Sequence, residues 1–327
     1  MQTDTLSDIA KKLNLSRSTV SRAFRRCSGV DSETRQLVLD AARDANLKFT
    51  DYKPIHAVLP DTPQYFWRKM CQGLHASEKA SGVPFSVSIY TNANNTQTVL
   101  EYLREAEEAG IRVLILAAYI TPEIYIVLQR MVRHCCILLL SEQYDLINSF
   151  YIGTDAYRDG WEMGKLYLSE YADYPLYIVD YPWHLSNNER RLNGFLDAIR
   201  ETNPELAGQA VKLRTGDAAV YTLKAPAAYY ARMLSEAVRK DFPCCFYAPT
   251  GMAFLPDAIR KAGLDAVCIG HDCAFGSNQL TGYDAVCNQD TFLQGYTAGE
   301  AAVRFINSMQ YPPQKNIYIP SIIKRSE

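Results

Sequence analysis

Thr5-Leu6-Ser7-Asp8-Ile9-Ala10-Lys11-Lys12-Leu13-Asn14-Leu15-Ser16-Arg17-Ser18-Thr19-Val20-Ser21-Arg22-Ala23-Phe24 reads as two short helices on either side of a tight turn. Thr5 can cap the first helix, with Asp8 three residues on as its capping partner. Leu6, Ile9, Ala10 and Leu13 then fall on one face at helical spacing. Asn14-Leu15 makes the turn, and Ser16 caps a second helix whose apolar side is Val20, Ala23 and Phe24. A helix starting at Ser16 aims its first backbone N–H groups outward, where they suit a phosphate. Arg17 and Ser18 stand at its exposed tip, and Arg22 lies about one turn further along. Those are the positions from which a recognition helix reaches base edges in the major groove. Thr19 and Ser21, short hydroxyl residues, suit phosphates or capping.

The surroundings extend this reading. Cys27-Ser28-Gly29 ends the second helix, and Asp31 or Ser32 caps a third, with Val38, Leu39 and Ala42 facing inward. Lys11, Lys12, Arg17, Arg22, Arg25 and Arg26 form a basic run without an acid, on a chain whose formal net charge is only -2. Such a local patch on a neutral chain fits a surface that meets nucleic acid. Residues 1–48 are therefore expected to be an all-α head, and residues 49–54, Phe-Thr-Asp-Tyr-Lys-Pro, a short linker.

After Pro54 the pattern changes. Short apolar runs at Ile55–Leu59, Phe85–Tyr90, Val113–Leu116 and Cys136–Leu140 alternate with longer amphipathic stretches. The alternation resumes at Leu176–Val179, Ala210–Leu213, Cys244–Tyr247 and Ala266–Ile269. Alternating strand and helix predicts open parallel sheets covered on both faces. The repeat is too long for one sheet, so residues 55–327 are expected to form two doubly wound lobes. The first spans about 55–156 and 289–311, the second about 157–288 and 312–327. Ligands of such sheets bind beyond the carboxyl ends of the strands, and two lobes facing each other would make a cleft there.

Composition excludes several classes. A hydrophobic content of 48% and a charged content of 21% are those of an ordinary globular chain. No window approaches the roughly 18 apolar residues of a membrane span, and the polar start Met-Gln-Thr-Asp-Thr is unlike a signal peptide. The nine cysteines are odd in number, include no CxxC pair and sit mostly in apolar runs. They read as small buried hydrophobes in a cytoplasmic protein. There is no GxGxxG, no GxxxxGK[ST] and no GxSxG. The histidines show no metal spacing. No catalytic residue, metal or cofactor is expected.

The head motif resembles that of the LacI/GalR family of transcriptional regulators. Asp8-Ile9-Ala10, Ser16, Thr19-Val20-Ser21-Arg22 and Gly29-Val30-Asp31-Ser32-Glu33-Thr34-Arg35 with Val38 match in register. The body resembles the same family, whose effector domain is like periplasmic sugar-binding proteins. Gly153-Thr-Asp-Ala156, Arg191-Leu-Asn-Gly-Phe195, Gly270-His-Asp272, Asn288-Gln-Asp290 with Gly295, and Ile319-Pro320 through Ser326 match its landmarks. The resemblance implies DNA contacts from Ser16, Arg17, Ser18, Thr19, Ser21 and Arg22. It implies ligand contacts from Phe66 and Trp67 as an aromatic wall, Arg191 as a fork of donors, Asp272 as an acceptor at a strand end, and Gln289 near a crossing between lobes. It also implies a homodimer on a double-stranded operator, responding to a small effector with sugar favoured, most simply as a repressor.

Two departures stand out. The family's hinge, with a leucine that wedges into the minor groove, has no counterpart between Lys48 and Pro54. That keeps open a second reading, a ligand sensor or binding protein without specific operator binding. In the cleft, Ser141-Glu142 replaces the Asp-Arg of many sugar binders, and Pro249-Thr250 replaces Asn-Asp. The pocket is thus built for a different ligand.

Overall fold

The three head helices form where capping and apolar spacing place them. In a computed structural model describing residues 6–24, 30–44, 53–61, 64–91, 95–180, 186–214, 226–238, 242–272 and 282–326, they are α1 (Leu6–Lys12), α2 (Arg17–Phe24) and α3 (Ser32–Asp44). Ile9, Ala10, Val20, Ala23, Val38, Ala41 and Ala42 bury one small core among them. The Ser16 hydroxyl accepts from the Thr19 N–H at 3.0 Å, and the Asp31 carboxylate accepts from the Thr34 N–H at 2.8 Å. Both satisfy donors that a helix start leaves open. Asn14 takes φ 51° in the turn, a left-handed position that asparagine tolerates. Thr5, Cys27-Ser28-Gly29 and most of the 49–54 linker lie outside the described residues, as do the side chains of Leu6, Ser21, Arg22, Phe24 and Leu39.

The first lobe is a six-stranded sheet in the order β11-β5-β4-β3-β1-β2. Its strands are β1 (Ile55–Pro60), β2 (Phe85–Tyr90), β3 (Val113–Leu116), β4 (Cys136–Leu140), β5 (Ser149–Gly153) and β11 (Asn316–Tyr318). All neighbours in it run parallel. Continuous apolar runs such as Cys136-Ile-Leu-Leu-Leu140 are buried along their whole length, as strands covered on both faces must be. Helices α4 (Gln64–Ser81) and α12 (Thr291–Ser308) cover one face, and α5 (Thr96–Glu108) and α6 (Pro122–Met131) the other.

The second lobe repeats the plan in the order β12-β10-β9-β8-β6-β7. Its strands are β6 (Leu176–Asp180), β7 (Val211–Arg214), β8 (Cys244–Ala248), β9 (Ala266–His271), β10 (Ala285–Asn288) and β12 (Ile322–Arg325). Only β12 is antiparallel, against β10. Helices α7 (Ala156–Glu170) and α8 (Ser186–Thr202) cover one face; α10 (Pro226–Ala237) and α11 (Leu255–Ala262) cover the other.

Strand order reverses at β3-β1-β2 and at β8-β6-β7, which opens a crevice at the carboxyl ends of both sheets. The chain passes between lobes at residues 154–155, at Gln289-Asp290 and again at 319–321. This last passage moves the expected boundary. Residues 312–327 do not all belong to the second lobe, because β11 pairs with β5 of the first. Strand pairing decides membership here, and a three-residue strand carries no periodicity to read.

Both helix pairs that cover the inner faces touch through glycine. A Cβ on Gly194 would lie 2.0 Å from the Tyr157 carbonyl oxygen, and one on Gly160 1.9 Å from that of Arg191. In the first lobe a Cβ on Gly295 would lie 2.1 Å from the Met70 oxygen. The glycines of the Arg-x-x-Gly-Phe and Asn-Gln-Asp landmarks are thus points where two backbones meet, which no side chain permits.

Candidate functional site

In the head, Arg17 and Ser18 are exposed at the N-terminal end of α2, Thr19 is half-buried, and Lys11 and Lys12 are exposed on α1. The Ser16 hydroxyl lies 2.8 Å from that of Ser18 and 2.7 Å from that of Thr19. Three hydroxyls thus cluster at a helix start whose first turn carries no acid. The arrangement favours an anionic oxygen, since the positive end of the helix dipole points there. Ser21 and Arg22 fall within α2.

In the body, Arg191 and Asp272 meet. Arg191 is on α8, 3% exposed; Asp272 follows β9 at φ 51°, its side chain 10% exposed. Arg191 Nη2 donates to Asp272 Oδ2 at 2.8 Å, and Nη1 to the Pro249 carbonyl at 3.1 Å. Burial opposes the Arg191 charge, but Asp272 and Asp159 outweigh it and hold the guanidinium more firmly protonated than usual. Gln289 joins from a crossing: its backbone N–H donates to Asp272 Oδ1 at 3.2 Å and its Nε2 to Oδ2 at 2.6 Å. Gln289 Oε1 in turn accepts from Gln294 Nε2 at 2.8 Å and from Thr154, in another crossing, at 3.4 Å. The third crossing is tied in as Ile319 N–H donates to the Gly153 carbonyl and the Ser321 hydroxyl to Asp159, at 2.7 and 2.8 Å. One polar network therefore links the cleft to all three passages between lobes.

His271, beside Asp272 in sequence, goes elsewhere. It is fully buried against the Tyr247 hydroxyl at 3.0 Å. Burial, then the nearby Arg191 charge, keeps the imidazole neutral well below its ordinary range. Trp67 lies in the core of the first lobe, and Phe66 packs half-buried against that core, edge-on to it with centroids 4.9 Å apart. It is Tyr65, just before them, that crosses the cleft: its hydroxyl donates to the Asp272 carbonyl at 2.7 Å. Ser186 and Asn187 also reach across, donating to the carbonyls of Gln143 and Ser141.

Residues to which the sequence reading gave no role complete the site. Glu142, after β4, accepts from the Asn187 backbone N–H. Burial pushes its carboxyl up to about 7, against the opposing pull of Arg191 and that N–H. The folded chain thus holds a proton that the unfolded chain, with an ordinary carboxyl near 4.5, has lost. Stability falls as pH rises from about 4.5 to 7. Glu142→Gln is therefore expected to raise stability at pH 8 by about 2 kcal/mol and to change little at pH 4.5; melting curves at both pH values test it. The signal for Glu142 was its departure from the family pattern. Tyr65 and Asn187 gave none, because they act through contacts between lobes.

The molecule thus joins a helix-turn-helix head to a two-lobed α/β body with a polar cleft. Residues 5–48 match the family model described as "Bacterial regulatory proteins, lacI family". Among solved structures, the body is similar to GanP, a glucose-galactose binding protein from Geobacillus stearothermophilus. Identity is 18% over 83% of this chain and 97% of that one, with a TM-score of 0.68. The whole chain is similar to a lac repressor dimer bound to operator and the anti-inducer ONPF, at 17% identity over 99% and 98% of the two chains, TM-score 0.67. It is also similar to a transcriptional regulator CelR–cellobiose complex, at 15% identity over 98% of each, TM-score 0.62. No curated protein sequence matches the chain. No helix among the described residues is long and apolar enough to cross a membrane.

Proposed function

We propose that this protein is a repressor of carbohydrate genes that works in the cytoplasm as a homodimer on a palindromic operator. Binding of a sugar-like effector in the cleft sets the angle between the lobes and so the spacing of the two heads. The observation that carries this reading is one chain joining a lacI-family head to a body folded like sugar-binding proteins. Ser16, Arg17, Ser18, Thr19, Ser21 and Arg22 meet the DNA. Arg191, Asp272 and Gln289 transmit occupancy of the cleft to the crossings. The cleft binds rather than catalyses: among the described residues its buried guanidinium, Arg191, is already engaged by Asp272, and His271 is sealed behind Tyr247.

Binding-site selection on the full chain tests the proposal. A two-fold symmetric site is expected, because a dimer with two heads reads two half-sites. Arg17→Ala should cost about 1–3 kcal/mol and relax preference at one base position. Lys12→Ala should lower affinity evenly and flatten the salt slope by about one unit. A selection that yields no preferred sequence, with binding that depends on salt alone, would instead favour a ligand sensor that has lost specific operator binding.

A further inference from the structure

The cleft's charges do not balance among the described residues. Arg191 faces three carboxylates, Glu142, Asp159 and Asp272. It is committed to Asp272 and the Pro249 carbonyl. Asp159 is held by Ser321 and Thr154. His271 is kept neutral and supplies no charge. Glu142 receives one N–H, while its Oε2 is shielded from water and has no hydrogen-bond partner. A buried carboxylate oxygen left this way is costly unless something supplies a donor.

The neighbours suggest what is missing. Asn187 and Asn188 are nine-tenths or more buried, and Asn187 holds the same loop through Ser141. Asn187 Oδ1 is an acceptor without a partner. With Glu142 Oε2 it makes two waiting acceptors on one loop contact, which calls for a group carrying several N–H donors. Asn188 Nδ2 and Arg191 Nε are donors without partners, fit for ligand hydroxyl oxygens. Tyr90, Tyr144 and Tyr151 all stand within reach of the Glu142 charge. The hydroxyls of Tyr90 and Tyr151 are spent on the carbonyls of Ala117 and Thr154, at 2.7 and 2.9 Å. A carboxylate among aromatic rings is a favourable seat for an organic cation.

We infer that the cleft takes a ligand of the amino-sugar class, with its ammonium group seated on Glu142 and Asn187 and its hydroxyls toward Asn188 and Arg191. This rests on the reading of the body as a sugar-responsive domain and narrows it. The ammonium takes the place of the proton that burial holds on Glu142 and fills both empty acceptors, whereas a neutral sugar brings no charged partner for that carboxyl. A uronate would add a fourth carboxylate beside Arg191.

The test is calorimetric titration of the full chain with matched sets: glucosamine, glucose and glucuronate, and galactosamine, galactose and galacturonate. At least one amino sugar should bind tenfold or more tightly than its neutral partner, and its uronate should not bind. In Glu142→Gln, verified as folded by its melting curve, that preference should fall to about twofold or less. If neutral or acidic sugars bind and amino sugars bind no better, the inference is overturned while the sugar reading stands. If Glu142→Gln keeps the full preference, Glu142 is not the seat and the inference fails. If no sugar of any charge binds, both fail together, whereas operator binding by the same preparation is judged separately.

Discussion

Arg191→Met should destabilise the second lobe by about 3–5 kcal/mol, because it removes one partner of a buried ion pair and leaves the other charged. Methionine approximates the length of the side chain, so the loss is chiefly electrostatic. Asp272 would keep only the two bonds from Gln289, and the Pro249 carbonyl would lose its donor. The double variant Arg191→Met/Asp272→Asn should recover at least half of the loss, since no unpaired charge then remains. Urea unfolding of the full chain, with amide hydrogen exchange reporting on α8 and β9, measures both. A loss below about 1 kcal/mol for the single variant would mean that the pair is solvated. The whole Arg191 guanidinium, and not its Nε alone, would then be free to meet the ligand. The outcome therefore decides whether Asp272 meets the effector itself or serves it by fixing Arg191 beside Asn188.

Gly194→Ala should be nearly as damaging, at about 3 kcal/mol, the upper end of what overpacking costs. The added methyl would meet the Tyr157 carbonyl oxygen at 2.0 Å and the Trp161 nitrogen at 3.0 Å. These are backbone atoms of a neighbouring helix and cannot rotate aside, so α7 and α8 must separate. Because α8 carries Asn187, Asn188 and Arg191, the displacement should also weaken effector binding. Gly208→Ala is the control. Gly208 lies in the short helix α9 (Pro204–Gln209), with nothing within 4 Å of an added Cβ. That change should be neutral or stabilise by a few tenths of a kcal/mol through lower backbone entropy in the unfolded chain. Thermal melting of the two variants side by side separates a contact effect from a general intolerance of glycine replacement.

Much of the fold is legible in the order of residues, because its signals are local. The period of Ile9, Ala10, Val20 and Ala23, with a serine cap at Ser16, defines two helices and a turn without reference to anything distant. Runs such as Cys136–Leu140 are uniformly apolar because both faces of a parallel sheet are covered, and each of the eight runs read as strands forms one. The short strand β11 carried no such signal, and its place follows only from pairing with β5.

The site divides along the same line. The sequence by itself determined that a capped helix with a basic tip precedes two alternating sheets, and through the family resemblance it pointed to Arg191 and Asp272 as cleft residues. It also marked Glu142 as foreign to the usual sugar pattern. Only the tertiary structure decided that Arg191 and Asp272 are each other's partners, 81 residues apart in the chain. It likewise sent Trp67 into the core, brought Tyr65 across the cleft, and set Glu142 against Asn187 with an oxygen to spare. Helix period and capping depend on neighbours a few residues away, and sequence records them directly. Charge pairing and desolvation depend on which distant segments the folded sheets bring within a few ångströms, and no local pattern encodes that distance.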